Sequence, residues 1–175
     1  MNEIILDMQG FLGSDNQFIC KELAATSFFG HFMEHHVFQT PPEKIYKSAW
    51  NHMTSYSGHM LDWDDGDVPH DRISAILQRF IQGTSKIYVE GRENIKNILQ
   101  YLKTHIPLTQ GRPLPKVIGI IDPNEKKYEI SCFLKHKNCA LNNVINLRHL
   151  LAEPHEELQH IIAEERGGDM MGGLL

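Results

Sequence analysis

The chain has 175 residues, 41% of them apolar and 22% charged, which is enough for one domain with a sizeable core. A formal net charge of −5 excludes a surface coated in basic residues; tight nonspecific nucleic-acid binding is therefore not expected, although a local basic groove is compatible with it. Three cysteines without framework spacing point to a reducing compartment, the N-terminus lacks the basic region of a signal peptide, and no apolar run reaches about 18 residues, so the expectation is cytosol or nucleus with no membrane.

In chain order, residues 3–8 (Glu-Ile-Ile-Leu-Asp-Met) read as a buried strand ending in a carboxylate. A turn around Gly13-Ser14-Asp15-Asn16 leads into 17–27, the second arm of a hairpin. There Cys20 and Glu22 stand two apart, so an unbroken strand points both to one face. The aromatic-rich stretch 28–38 reads as a third strand, stopped by Pro41-Pro42. Within it His31, Glu34, His35 and His36 suggest metal binding, but alternation splits His35 from His36 and a solvated strand end is the simpler reading. Residues 43–53 suggest a short helix. The segment 56–70 is an acidic connection in which Asp62, Asp64, Asp65 and Asp67 surround Trp63, read as a solvated loop.

Asp71 is placed to cap a helix carrying Ile73, Ile76, Leu77, Phe80 and Ile81 and ended by Gly83. A short strand follows at 86–90, and Gly91 turns it into a helix with Ile95, Ile98, Leu99 and Leu102 on one face. After a loop at 107–115, residues 117–121 fit strand or helix. Lys86, Arg92, Lys96, Lys103 and Arg112 are read as a charged helix face rather than a phosphate-binding strip. Ala140, Val144, Leu147 and Leu151 fall at i, i+4, i+7 and i+11 and predict an amphipathic helix. Residues 153–166 read as a short acidic helix with Leu158, Ile161 and Ile162 facing inward, and 167–175 as a flexible tail. The succession implies an α/β fold: a mixed central sheet with an antiparallel N-terminal hairpin set, flanked by helices.

Directly before the amphipathic helix, Cys132-x3-His136-x2-Cys139 places two thiols and an imidazole within eight residues. With a carboxylate they make a chemically sound tetrahedral Zn²⁺ set. The competing reading is that buried cysteines fill small core gaps.

This order resembles the ribonuclease-H-like fold of the DEDDh 3′–5′ exonucleases over residues 3–151, with 1–152 as the domain. The residues carrying the likeness are Leu-Asp7-Met-Gln9 in place of Asp-x-Glu, and Tyr-Ser-Gly58-His59-Met in place of a histidine-glycine loop. Val-Glu90-Gly91 leads into the helix that carries the second motif, and Asn138-Cys139-Ala140-Leu141-Asn142-Asn143-Val144 stands in place of His-x-Ala-Leu-x-Asp-Ala. The family binds two divalent ions with four carboxylates and uses a histidine as general base. The resemblance puts Gln9 at the glutamate, Asn143 at the last aspartate, Asn138 at the histidine, and the remaining aspartate near Ile95, with Glu93 the nearest carboxylate. Only Asp7 survives. Amides lack the charge that hard Mg²⁺ or Mn²⁺ requires, so the implied activity is binding without hydrolysis. The alternative is a nuclease using Asp7 with Glu22, Glu90 or Glu93 around a rearranged metal.

The chain is also similar to the Maelstrom domain of small-RNA silencing, and to arthropod and viral relatives with Asp-x-Gln-Gly-Phe and Cys-Ala-Leu-x-Asn-Val. Maelstrom carries a Glu-Cys-His-Cys zinc set, and Glu22, Cys132, His136 and Cys139 stand here in that order. Cys20 is the alternative to Glu22. The resemblance implies a structural zinc ion and a role in an RNA-silencing or antiviral pathway, with RNA, another single-stranded nucleic acid or a protein as partner.

Overall fold

A computed structural model describes residues 2–13, 17–29, 31–41, 61–62, 64–106, 113–121, 139–152 and 159–162. The first strand, β1 (Asn2–Leu12), pairs antiparallel with β2 (Phe18–Ser27), which pairs antiparallel with β3 (Met33–Val37). A 3-10 turn at His70–Arg72 leads into α1 (Ile73–Ile81), followed by β4 (Thr84–Glu90), α2 (Gly91–His105) and β5 (Lys116–Ile121). Then come α3 (Ala140–Ala152) and β6 (Gln159–Ile162). The described strands form one mixed sheet in the order β3-β2-β1-β4-β5-β6, with β1, β4 and β5 parallel and β6 antiparallel to β5.

The apolar run of β1 has its cause in this layering. A strand covered on both faces cannot alternate apolar with polar. Ile4, Leu6 and Met8 face one core with Leu23, Ile87 and Val89, closed by Ile73, Leu77 and Phe80 of α1 and Ile98 and Leu102 of α2. Ile5 faces the other, with Ala24, Tyr88, Ile118 and Ile120, closed by Ala140, Val144 and Leu147 of α3. Asp7 is on the strand between these layers and is 1% exposed.

One open reading is settled and three expectations change. Residues 117–121, open between strand and helix, are a strand because Val117, Ile118 and Ile120 are buried beneath helices. The third strand covers 33–37 where 28–38 was expected, and ahead of it Ser27 Oγ accepts the His31 and Phe32 backbone amides. Asp71 is not the cap of α1; it lies inside the 3-10 turn, and Arg72 precedes the helix without a side-chain cap. Residues 159–162, expected inside an acidic helix, are a strand because the edge of β5 offers backbone partners from Ile118 to Ile121. The helix expected at 43–53 and the tail at 167–175 lie outside the described residues. No helix among the described residues is long and apolar enough to cross a membrane.

Two glycines bring α2 to the sheet. Gly91 has φ +74°, which lets β4 pass straight into the helix without a linker. Gly119 lies under that helix: a Cβ there would stand 2.6 Å from Ile95 Cδ1 and 3.0 Å from the Gly91 carbonyl oxygen. Gly119→Ala is therefore expected to cost about 1–3 kcal/mol through overpacking. Urea unfolding should show the midpoint falling with an unchanged slope.

Candidate functional site

Three elements converge on Asp7. Gln9, two residues along β1, donates from Nε2 to Asp7 Oδ2 at 2.9 Å. Asn143, on the first turn of α3, donates from Nδ2 to the same oxygen at 3.0 Å. Asn94, on the first turn of α2, donates from Nδ2 to Oδ1 at 2.9 Å and also to the Glu90 carbonyl at 2.9 Å. An ionised carboxylate can only accept, so all three amides must turn their NH₂ groups toward it. Burial raises Asp7 to about 7; the hydrogen bonds from Gln9 and Asn143 pull it down, and the charges of Glu90 and Glu22 push it up.

Gln9 and Asn143, which the resemblance groups with Asp7, both bond it. Asn94 is the residue that sequence reading missed. It lies one position before Ile95, where the second motif was expected to fall, and Ile95 itself is buried against Gly119 in the core. The signal was available: Asn94 is four residues after Glu90, so a helix starting at Gly91 returns it to the end of β4.

A second cluster adjoins the first. Gln9 is the cross-strand partner of Glu22, and Gly10 that of Cys20, so Lys21 is an extra residue in β2, a β-bulge. The bulge reverses the alternation. Cys20 joins the core under α1 and α2, where its thiol donates to the Glu22 carbonyl at 3.2 Å and burial pushes it well above its ordinary pKa. Glu22 turns to the α3 side. The expectation that Cys20 and Glu22 share a face therefore fails, and Cys20 does not stand in for Glu22.

Glu22 is 0% exposed, and donors from the described residues of β3 and the start of α3 reach its oxygens. The Ala140 amide, at the start of α3, reaches Oε1 at 2.8 Å. His35 Nε2 reaches Oε2 at 2.6 Å from β3, and the Cys139 thiol reaches the same oxygen at 3.7 Å. The carboxylate caps α3, a favourable place for an anion. One donor atom from each of Glu22, His35 and Cys139 lies within 4.8 Å of the others, a group that can hold a metal ion. Of the expected zinc set, Glu22 and Cys139 are together, while Cys132 and His136, like Asn138 and His59, lie outside the described residues. His35, set aside as part of a solvated strand end, is the histidine that joins them; His36 points away and bonds Glu34 at 2.9 Å.

The acidic loop also has an internal task. Lys21, the bulge residue, is 1% exposed and donates to the Asp65 carbonyl and to Thr40 Oγ1 at 3.3 Å. Its burial lowers the ammonium to about 8, against the pull of Asp65, Asp64 and Asp62. A cation from the chain itself sits beside this loop.

Asp7 sets a pH dependence with a definite sign. Its folded value of about 7 lies above the ordinary 3.8, so between these values the folded protein holds a proton that the unfolded chain has released. Its contribution is full below about pH 4 and is lost as the pH rises through about 7, roughly 4 kcal/mol at most. Asp7→Asn should remove that slope, so the variant gains on the wild type from pH 4 to 8 in matched urea unfolding. Comparison with protein-family models, with curated proteins and with solved structures finds no match.

Proposed function

We propose that this chain is a ribonuclease-H-like, DEDDh-type domain that binds its target without cutting it. The observation that carries the reading is the convergence of Gln9, Asn94 and Asn143 on Asp7. Gln9 on β1 and Asn143 on α3 are residues that the resemblance sets in place of carboxylates, and Asn94 on α2 is one position before Ile95, where the resemblance sets the remaining aspartate. The groups bonded to Asp7 are neutral amides, and their NH₂ groups occupy both of its oxygens. Hard divalent ions need anionic oxygen ligands, and two ions held together need several. The mixed sheet, with an antiparallel hairpin set at its N-terminus and helices on both faces, supports the same reading.

The resemblance also implies zinc, and the donor chemistry fits. A thiol, an imidazole and a carboxylate form a mixed soft and hard set of the kind Zn²⁺ accepts. In this reading the ion staples α3 to the sheet and takes no part in any reaction. Its ligands would include Glu22 and Cys139.

For the partner, the resemblance points to RNA or another single-stranded nucleic acid in a silencing or antiviral setting. A protein partner is the second reading, favoured by the net charge of −5 and by Phe29 and Met33, 78% and 46% exposed at the β2–β3 turn.

Incubation with a labelled single-stranded oligonucleotide and Mn²⁺ tests the central point. No cleavage above the level of Asp7→Ala is expected; Mn²⁺-dependent cleavage abolished in Asp7→Ala would overturn the reading. Binding of the same oligonucleotide should weaken steeply as salt rises if phosphates are the target. Absence of binding at low salt would favour the protein partner.

A further inference from the structure

We infer that His35, on β3, is a metal ligand, so that the ion joins three separated segments: Glu22 of β2, His35 of β3 and Cys139 at the start of α3. The inference rests on the zinc part of the reading above and is independent of whether the domain hydrolyses nucleic acid. Neither chain spacing nor the Glu-Cys-His-Cys order points to this histidine, because it lies 104 positions before Cys139.

The geometry is already close to a coordination shell. Ligand atoms around a tetrahedral Zn²⁺ at 2.0–2.3 Å stand about 3.3–3.6 Å apart. Glu22 Oε2 and Cys139 Sγ are 3.7 Å apart, and the His35–Glu22 contact of 2.6 Å has to open by only roughly 0.7 Å. Each donor comes from a fixed element. Glu22 is held by the Ala140 amide through Oε1, which leaves Oε2 directed at the other two donors. His35 is the partner of Ala24 across β2 and β3, so its ring lies on the same sheet face as Glu22. Side-chain exposures of 10% for His35 and 0% for Glu22 keep water from competing for the ion. A hydrogen-bonded carboxylate, imidazole and thiol in a dry pocket also serve as a plain helix cap, and the test separates that role from coordination.

Purified protein comprising the 175-residue chain, stripped with chelator, is titrated with Co²⁺ and followed by absorption. One ion per chain is expected, with a thiolate-to-cobalt charge-transfer band that Cys139→Ser abolishes. His35→Gln should weaken Co²⁺ binding by at least about tenfold, the lower bound set by losses of residues that merely support ligands. His35→Cys guards against misfolding: it should keep one ion and show a stronger charge-transfer band, which only direct coordination produces. Unchanged affinity in His35→Gln, or no rise of the band in His35→Cys, would overturn the inference. Loss in His136→Gln with binding intact in His35→Gln would return the histidine role to the downstream segment and overturn it too, leaving the non-cleaving reading untouched. No uptake of Co²⁺ by the wild type would overturn both this inference and the zinc reading.

Discussion

A carboxyl group with 1% exposure in the middle of a sheet is the constraint on which this structure turns. Burying such a group without partners costs several kcal/mol, and as an ion far more. Here the cost is offset by three amide donors, each from a different stretch of chain. The result is a cross-link. Asp7 fixes the middle of β1, Asn94 fixes where α2 leaves β4, and Asn143 fixes where α3 meets the sheet. Losing one amide leaves the acid short of a donor, a penalty of about 1–3 kcal/mol that falls on the junction of all three elements. Amide hydrogens thus join segments that ions would hold in a nuclease of the proposed type, and neutral groups do so without the repulsion among clustered carboxylates.

The second cluster is tied to the first through the opening turn of α3. Cys139 precedes that helix, and the Asn143 backbone N–H donates to the Cys139 carbonyl at 3.0 Å. Glu22 caps the helix while Asn143 reaches Asp7, so both buried acids grip the same turn from neighbouring strands. What places Glu22 there is the bulge at Lys21. The extra residue inverts the facing of β2 beyond it, sending Cys20 into one core and Glu22 toward α3. It also buries an ammonium that the acidic loop then surrounds. A single inserted residue therefore settles which side of the sheet carries the candidate metal ligands.

Much of the scaffold could be read from residue patterns. The run Ile4-Ile5-Leu6 announced a strand covered on both sides, and the spacing of Ala140, Val144 and Leu147 announced α3. Gly91 marked the strand-to-helix junction through its backbone freedom. Asp7, Gln9 and Asn143 were legible as a group only through a resemblance, since nothing in their spacing brings β1 next to α3. Asn94 is not legible from the motif, which falls on Ile95; it is reached only by following α2 from Gly91. Cys20 was misplaced because strand alternation assumes no bulge, and a bulge depends on the pairing with Gln9 and Gly10 more than on β2 itself. His35 is hidden for a related reason: its place beside Glu22 comes from lying across from Ala24, a tertiary fact. Residues 159–162 read locally as helix because of their acidic neighbours, and the open edge of β5 that makes them a strand is a tertiary feature.

The account stands or falls on whether one buried acid and three amides form a single unit. The most direct measurement follows the side-chain NH₂ resonances of Gln9, Asn94 and Asn143 by nitrogen-15 NMR from pH 5 to 9. The account predicts that all three pairs exchange slowly with water and shift together, with a common inflection near the Asp7 value of about 7. Three independent titrations, or NH₂ groups that exchange freely at neutral pH, would contradict it.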